Sequence, residues 1–277
     1  MNSEFGIRNS EFSSLTTNEK PEHGGRKFEI RNPPRNSPRE SMRIDLDLVA
    51  PEAIPGIRIL PVLHERVDFA PVVHYVLEEM QPAAVAVELP TTLSEAAAKA
   101  VLRLPKISAV ISEEPGEEAL VWVVAPGDPL VESMRWAHQF KREVFLIDPD
   151  VRYRSRRHDP IPDPHVIHEL GAEAYVDLIR RLAGSAPHDE RDLLREQGMA
   201  HNAKQASDSV DGEILCIVGA AHAQRVATQL GGPTAPPLAR QYRSRIDLRH
   251  LHPESLPAVL PDPPLAHAMV ELLRDST

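Results

Sequence analysis

Apolar runs alternate with helical periods along most of the chain from Ile57 onward. Short uninterrupted runs such as "IRILPVL" and "AVAVEL" are typical of strands that are buried on both faces of a sheet. Between these two runs, apolar residues recur with a helical period and predict a helix with one apolar face. They are Phe69, Val72, Val73, Val76, Leu77 and Met80. The alternation predicts an α/β fold, with a mostly parallel mixed sheet flanked by helices in a single main domain.

The same patterns predict further elements beyond the second strand. The additional strands are "ISAVI", "LVWVVA", residues 143–150, residues 213–218 and "RSRIDLRHL". Helices are predicted after Ser94, over 129–141, 165–183 and 188–207, from Ala223, and over 267–274. The basic and then Pro-rich stretch 151–164 predicts a loop, because it has no apolar period. Its arginines form either a solvated loop or an anion-attracting rim.

The two ends of the chain differ in composition from the middle. Residues 1–41 are polar and Pro-rich, which predicts disorder. Their "NSEFGIRNSEF" contains Glu-Phe and Asn-Ser, two reading frames of the restriction site GAATTC, so we interpret the tail as translated cloning linker; a native low-complexity tail is the alternative. We expect an α/β domain over 42–252. A Pro-rich linker and a short helix are expected over 253–277. Because another amphipathic element begins there, a truncated end is one of the hypotheses.

Composition narrows the possible function classes. Hydrophobic residues make up 42% of the 277 residues, enough for a substantial core, and the formal net charge is −10. That charge argues against general nucleic-acid binding, which needs clustered Lys and Arg. The single cysteine, Cys216, excludes an internal disulfide and is expected in the core. No apolar run approaches the length of a membrane span. We therefore expect a cytoplasmic protein that binds neither nucleic acid nor membrane.

Ionisable residues stand at the ends of four predicted strands. His64 follows the first, Glu88 lies near the end of the second, Asp148 ends the strand before the basic loop, and His222 follows the strand at 213–218. Ligands of parallel sheets bind outside the carboxyl ends of the strands. A polar residue is also needed wherever a strand reaches the surface, so each position alone has a structural explanation. Two histidines and a glutamate at one pole favour a function.

Several common catalytic motifs are missing from the sequence. The chain has no G-x-S-x-G, no G-x-x-x-x-G-K-[ST], and no G-x-G-x-x-G after a strand. "HERVD" begins like H-E-x-x-H but lacks the second histidine. The pattern therefore argues against an ordinary serine hydrolase, a P-loop NTPase, a dinucleotide enzyme and a zincin-type peptidase.

Three short motifs resemble a known superfamily. "REQGMAHNAKQ", residues 195–205, resembles the R-D-x-x-M-A-x-N helix of erythromycin-esterase-like proteins, and "VGAAH", residues 218–222, resembles the G-x-x-H motif that follows it. Residues 59–90 resemble the opening unit of strand, G-x-x-H, helix and P-D-x-V-x-x-E, with Pro61 where the motif has glycine. The superfamily also includes TraB, Tiki and haem-binding ChaN-like proteins. The resemblance extends from about Ile57 to Leu230.

The resemblance implies a hydrolase of an ester or amide bond that acts on a small-molecule or peptide substrate. In esterase members, histidine is a general base on water, a glutamate orients it, and an arginine stabilises an oxyanion. In Tiki-like members, His64, Glu88 and His222 would instead bind a divalent metal such as zinc, manganese or cobalt. A third alternative is a non-catalytic, ligand-binding or regulatory protein of the TraB or ChaN kind. The matched site residues are His64, Glu88, His222, Arg195, Asp148 and Arg154, with Arg152 a further weak match.

The helix signature also has a meaningful spacing of its own. Arg195, Met199 and Asn202 stand at i, i+4 and i+7, which places them on one helix face. We expect Met199 to pack rather than to react. Water activation needs Glu88 beside a histidine, whereas a haem site needs only an axial ligand. We therefore predict that Glu88, His64 and His222 converge within hydrogen-bond or metal-ligand reach, and side chains on opposite faces of the sheet would contradict the enzyme hypothesis.

Overall fold

The computed structural model describes residues 44–113, 119–150, 161–183, 190–236, 243 and 245–274. The chain divides into two units, Met1–Met42 and Arg43–Thr277, and every described residue belongs to the second. The tail over 1–41 and the basic segment 151–160, with Arg152 and Arg154, lie outside the described residues. Among the helices of the described ranges, none is both long enough and apolar enough to cross a bilayer.

The described residues form an α/β fold, as the alternation of strands and helices predicts. The strands are β1 (Glu52–Ile54), β2 (Ile57–Val62), β3 (Ala84–Pro90), β4 (Ser108–Glu113), β5 (Leu120–Val124), β6 (Glu143–Asp148), β7 (Ile214–Gly219) and β8 (Arg245–His250). The helices are α1 (Leu46–Val49), α2 (Ala70–Met80), α3 (Ser94–Val101), α4 (Pro129–Gln139), α5 (Ile167–Leu170), α6 (Ala172–Ala183), α7 (Glu190–Ser209), α8 (Ala220–Leu230), α9 (Leu256–Val259) and α10 (Pro264–Arg274).

The main sheet is mixed and mostly parallel, in the order β1-β2-β7-β3-β6. Strands β2, β7, β3 and β6 run parallel, and only β1 is antiparallel, through a turn at Gly56 with φ 84°. Val62 pairs with Gly219, and Pro90 pairs with Asp148. The carboxyl ends of four strands therefore meet at one edge of the sheet, where ligands of such sheets bind.

Two hydrophobic cores cover the two faces of this sheet. Val85 and Val87 of β3 belong to the core that includes α2, α4 and α6, whereas Ala84 and Ala86 belong to the core that includes α7 and α8. This division follows from the period of two along a strand. The same period directs Glu88 towards the α7 side. Cys216 and Met199 are fully buried in that second core, so both pack as predicted.

A second, antiparallel sheet is present in addition to the mostly parallel mixed sheet that the sequence predicts. Its order is β5-β4-β8, and both of its pairings are antiparallel. The stretch between Glu113 and Leu120 is too short for a parallel crossover, which needs about a dozen residues or more. The predicted strand "RSRIDLRHL" then pairs along β4, with Ser108 opposite His250.

Two helical segments also differ from the predicted boundaries. The helix predicted over 165–183 is divided into α5 and α6 by Gly171, whose φ of 81° is left-handed and ends the first helix. The C-terminal segment packs on the domain rather than extending from it. In α10, Glu271 accepts a hydrogen bond from Arg135 of α4 at 2.9 Å, and Arg274 contacts Glu132 at 3.0 Å.

Candidate active site

The edge of the main sheet brings together the side chains that the sequence places at strand ends. Glu88 Oε2 lies 3.5 Å from His64 Nε2, and Glu88 Oε1 lies 3.9 Å from His222 Nε2. All three side chains lie at this edge, but only His64, at 3.5 Å, is within the predicted hydrogen-bond reach of Glu88, because 3.9 Å to His222 is too long for a hydrogen bond. Asp148 joins the cluster through Arg195, which contacts both carboxylates. Arg154 lies outside the described residues.

Glu88 is the buried centre of this cluster. Its Oε2 accepts the Gly219 N–H at 2.6 Å, and its Oε1 accepts Arg195 Nη2 at 2.9 Å. Burial by itself raises the pKa of Glu88, but the neighbouring His222 and His64 imidazoles and the Arg195 guanidinium outweigh it. The pKa of Glu88 is therefore held well below its usual value of 4.5. Glu88 is a carboxylate throughout the neutral range.

Arg195 neutralises several buried acids at once. Only 8% of its side chain is exposed, and its Nη2 donates to Asp148 Oδ2 at 3.0 Å as well as to Glu88. Asp192, one turn earlier on α7, lies 3.9 Å away. Burial lowers the pKa of Arg195, but the Asp148 and Glu88 carboxylates raise that pKa by more than burial lowers it, so the net shift is upward. The guanidinium is therefore a permanent cation among buried acids.

The position of Arg195 depends on how closely α7 approaches β6. At Gly198, an added Cβ would lie 2.6 Å from Pro149 Cγ, so only glycine allows this approach. Asn202 Nδ2 donates to the Ile147 carbonyl at 2.8 Å, which ties the helix to the strand. Asn202 of the helix signature therefore has a structural contact here, and the glycine within the signature brings Arg195 against the sheet.

His222 is held by partners at both ring nitrogens. Its Nδ1 lies 2.9 Å from Glu196 Oε1, and its Nε2 lies 3.1 Å from Arg195 Nη1. Because a guanidinium can only donate, Nε2 accepts and Nδ1 donates to the carboxylate. Glu196 is fully buried, and its Oε1 also accepts Arg225 Nε at 2.6 Å. His222 therefore has no ring nitrogen left for a substrate in this arrangement.

His64 has the more open imidazole of the two. Its side chain is 38% exposed, its Nε2 faces Glu88, and no described residue hydrogen-bonds to its Nδ1. Desolvation lowers the pKa of His64, but the hydrogen bond and charge of Glu88, together with the charge of Asp128, outweigh it. The pKa of His64 is therefore raised above its usual 6.5. The site thus presents one oriented imidazole with a free nitrogen.

A tight turn fixes the direction of His64. The next residue, Glu65, has a left-handed φ of 61°, a conformation that costs free energy for a residue with a side chain. The Glu65 N–H donates to Asp128 Oδ2 at 3.1 Å, and Asp128 also caps α4 by accepting from Leu130 and Val131. The turn after β2 is therefore anchored to the start of α4.

Gly219 leaves no room for a side chain beneath His64. An added Cβ would lie 2.5 Å from His64 Nε2 and 3.0 Å from Glu88 Oε2. We expect Gly219→Ala to lower the free energy of unfolding by about 1–3 kcal/mol, because the two side chains must move apart. Urea unfolding measures it. Gly232→Ala is the control, since its Cβ would approach nothing closer than 3.7 Å; equal stability of the two variants would contradict the packing described here.

His64, Glu88 and His222 do not have the spacing of a three-ligand metal site, which the metal-dependent alternative requires. Among the residues that the structure describes, only one group of three has ligand atoms that all lie within 4.8 Å of one another, and it does not include these residues. The Arg195 guanidinium instead contacts Glu88 and His222 directly. The positive charge at this site is therefore supplied by arginine.

Sequence reasoning missed Asp192, Glu196, Arg225 and Asp128. The sequence of α7 does carry a signal for Asp192 and Glu196. Asp192 and Glu196 lie on the same buried face as Met199 and Ala203, where an apolar stripe would otherwise continue. Charged residues on the apolar face of a helix indicate a buried polar network. Arg225 and Asp128 meet the site only through tertiary packing.

Pro61 stands where the G-x-x-H motif of the superfamily has glycine. The edge of β2 that faces β1 accommodates this proline. The Ile59 N–H donates to the Pro51 carbonyl at 3.2 Å on the β1 side. A residue other than proline at position 61 would point its N–H to the same side, because N–H groups two residues apart along a strand face the same way. The last pair between β1 and β2 is Glu52 with Arg58, so no β1 residue lies opposite position 61. Proline therefore removes no ladder hydrogen bond there. Pro61 instead lines a cavity of about 340 Å³ that none of the candidate site residues lines.

Comparison of the chain with protein-family models, curated proteins and solved structures finds no match. The assignments for this site therefore rest on the residues themselves. The buried Glu88–Arg195–Asp148 network and the open His64 imidazole are the features that a function has to use.

Proposed function

We propose that the chain is a hydrolase of ester or amide bonds in which His64 activates water beside the ionised Glu88. The observation that carries this proposal is the difference between the two imidazoles. Both nitrogens of His222 have protein partners, whereas Nδ1 of the half-open His64 has none among the described residues. A general base needs one ring nitrogen within hydrogen-bond reach of water and a partner that orients the other.

In the proposed reaction, a water molecule transfers a proton to His64 Nδ1 as its oxygen forms a bond to the substrate carbonyl carbon. The carbonyl electron pair moves to the oxygen and makes a tetrahedral oxyanion. When that pair returns, the bond to the alcohol or amine breaks, and His64 Nδ1–H donates its proton to the leaving group. The carboxylic acid product has gained one water oxygen. Glu88 stabilises the imidazolium that forms between the two proton transfers.

Arg195 acts through Glu88 in this proposal rather than on the oxyanion. Its guanidinium is almost fully buried and faces Glu88, Asp148 and His222. The proposed oxyanion donors are the first N–H groups of α8. No side chain caps that helix at Gly219, the residue that contacts Glu88, and helix N-termini carry partial positive charge. Arg195 and His222 are therefore positioning residues.

A panel of short acyl esters and short peptides tests the proposal. We expect hydrolysis of at least one class, and a single turnover in oxygen-labelled water should place one solvent oxygen in the acid product. Direct attack by water requires that result, so an unlabelled first product would contradict it. The non-catalytic ChaN-like alternative would be favoured by two results together: no hydrolysis of any member of the panel, and haem binding to His64 detected by absorption spectroscopy.

A further inference from the structure

Two exposed histidines face a buried aspartate away from the proposed hydrolytic centre. His165 and His168 stand one helical turn apart, in the 3₁₀ turn Pro164–Val166 and in α5. His168 Nε2 lies 2.6 Å from Asp68 Oδ1, and His165 Nδ1 lies 3.3 Å from the same oxygen. Their ligand atoms all lie within 4.8 Å of one another, and the three residues take no part in the Glu88 cluster.

Asp68 has a buried oxygen with no hydrogen bond from the described part of the chain. Its side chain is 3% exposed, and none of the described residues hydrogen-bonds to Oδ2. Arg66 Nη2 lies 4.0 Å from Oδ2 and makes its shorter contact with Asp262 Oδ1, at 2.9 Å. The oxygen that faces the two imidazoles is Oδ1. A buried carboxylate costs free energy unless its charge is paired, and a cation bound at Oδ1 between the imidazoles would add to that pairing.

The donor set matches a divalent transition metal. Two imidazoles and one carboxylate are typical ligands of zinc and cobalt. Ligand atoms at usual zinc distances in a tetrahedral arrangement lie roughly 3.3 Å apart, close to the separation of His165 Nδ1 and Asp68 Oδ1. His168 Nε2 is at hydrogen-bond distance from the same oxygen, 2.6 Å, and would move outward to bind the ion. The histidine side chains are 65% and 66% exposed, so a fourth position remains open to water.

We propose that Asp68, His165 and His168 bind one divalent transition-metal ion, zinc or cobalt in the first instance. The ion joins α5 to the segment between β2 and α2, which carries His64 at its start and Asp68 near its end. It acts as a structural clamp on that segment and takes no part in the hydrolytic chemistry. The proposal does not depend on the proposed function, because none of its ligands belongs to that site.

Titration of the full chain with Co²⁺ and then Zn²⁺ tests this site. The visible absorption of Co²⁺ reports direct coordination, and calorimetry gives the stoichiometry and the affinity. We expect one tightly bound ion per chain. His165→Gln and His168→Gln should weaken binding by at least about 10- to 100-fold. Because both side chains are exposed, these variants should fold, whereas Asp68→Asn removes a buried charge and is a supplementary variant.

Two controls locate the metal. The double variant His138→Gln with His252→Gln removes two exposed histidines elsewhere and should bind Co²⁺ as the wild type does. His64→Gln should also leave the affinity unchanged. Weak binding by the wild type, or binding by His165→Gln and His168→Gln that is as tight as that of the wild type, would overturn the proposal. Loss of binding in His64→Gln alone would move the metal to the Glu88 cluster and overturn it as well.

Discussion

Replacing Arg195 with methionine should lower the free energy of unfolding by about 3–5 kcal/mol, the largest stability effect that we expect from one substitution. Methionine has a similar length but no charge, so the buried carboxylates of Glu88 and Asp148 would face each other without their shared cation. Urea unfolding at neutral pH measures this loss. Arg181→Met is the control, because Arg181 forms an exposed pair with Asp177 that is worth about 0–1 kcal/mol. Equal losses in the two variants would contradict the buried network.

The same substitution should have a characteristic pH dependence. The folded-state pKa of Glu88 is depressed, so its ionisation stabilises the fold fully above the usual value of 4.5, and this stabilisation is lost as pH falls through the folded-state pKa. Arg195 is one cause of that depression. The difference between wild type and Arg195→Met should therefore shrink as the pH falls below 4.5. A difference that stays constant with pH would mean that Arg195 stabilises the fold by packing alone.

Glu88→Gln should produce the largest functional effect short of removing His64 itself. Glutamine preserves the shape and can still accept the Gly219 N–H, but it has no charge to stabilise the imidazolium. We expect kcat/KM for hydrolysis to fall by about 10²- to 10⁴-fold, the usual contribution of assisted proton transfer. Glu79→Gln, at an exposed position of α2, is the matched control and should leave kcat/KM unchanged.

The pH profile of Glu88→Gln separates this role from a purely structural one. Glu88 raises the pKa of His64 above 6.5, and a general base acts in its neutral form. In the wild type, kcat/KM should therefore rise with pH through a value above 6.5. Without the Glu88 charge the pKa of His64 falls, so the rise should move to lower pH although the plateau is lower. NMR titration of the His64 ring measures the same shift without a substrate. An unchanged His64 titration would contradict the assigned role of Glu88.

Periodicity was sufficient to predict the α/β class and the common edge of the strand ends. Continuous apolar runs at β2, β3 and β7 identify buried parallel strands, and parallel strands must place their carboxyl ends together. This common edge is one of the grounds for predicting that His64, Glu88 and His222 converge; the other is the requirement of water activation for a carboxylate beside a histidine. The alternation of side chains along β3 then directs Glu88 towards α7.

The remaining features depend on packing between distant segments. The second sheet forms because β8 returns to pair with β4, a partner that its own sequence does not specify. Asp68 and His168 are 100 residues apart, and no local spacing relates them. Gly198 and Gly219 are single glycines whose purpose is visible only once Pro149 and His64 lie against them. Local patterns predict elements and faces, whereas these contacts arise from tertiary structure.

The most direct test of the central claim compares hydrolysis by wild type, His64→Gln and His138→Gln on the best substrate of the ester and peptide panel. His64 is partly exposed and its Nδ1 has no partner among the described residues, so its replacement should preserve the fold, as urea unfolding will show. We predict that kcat/KM falls by about 10²- to 10⁴-fold in His64→Gln and is unchanged in His138→Gln. Folded His64→Gln protein that hydrolyses the substrate at the wild-type rate would contradict the account.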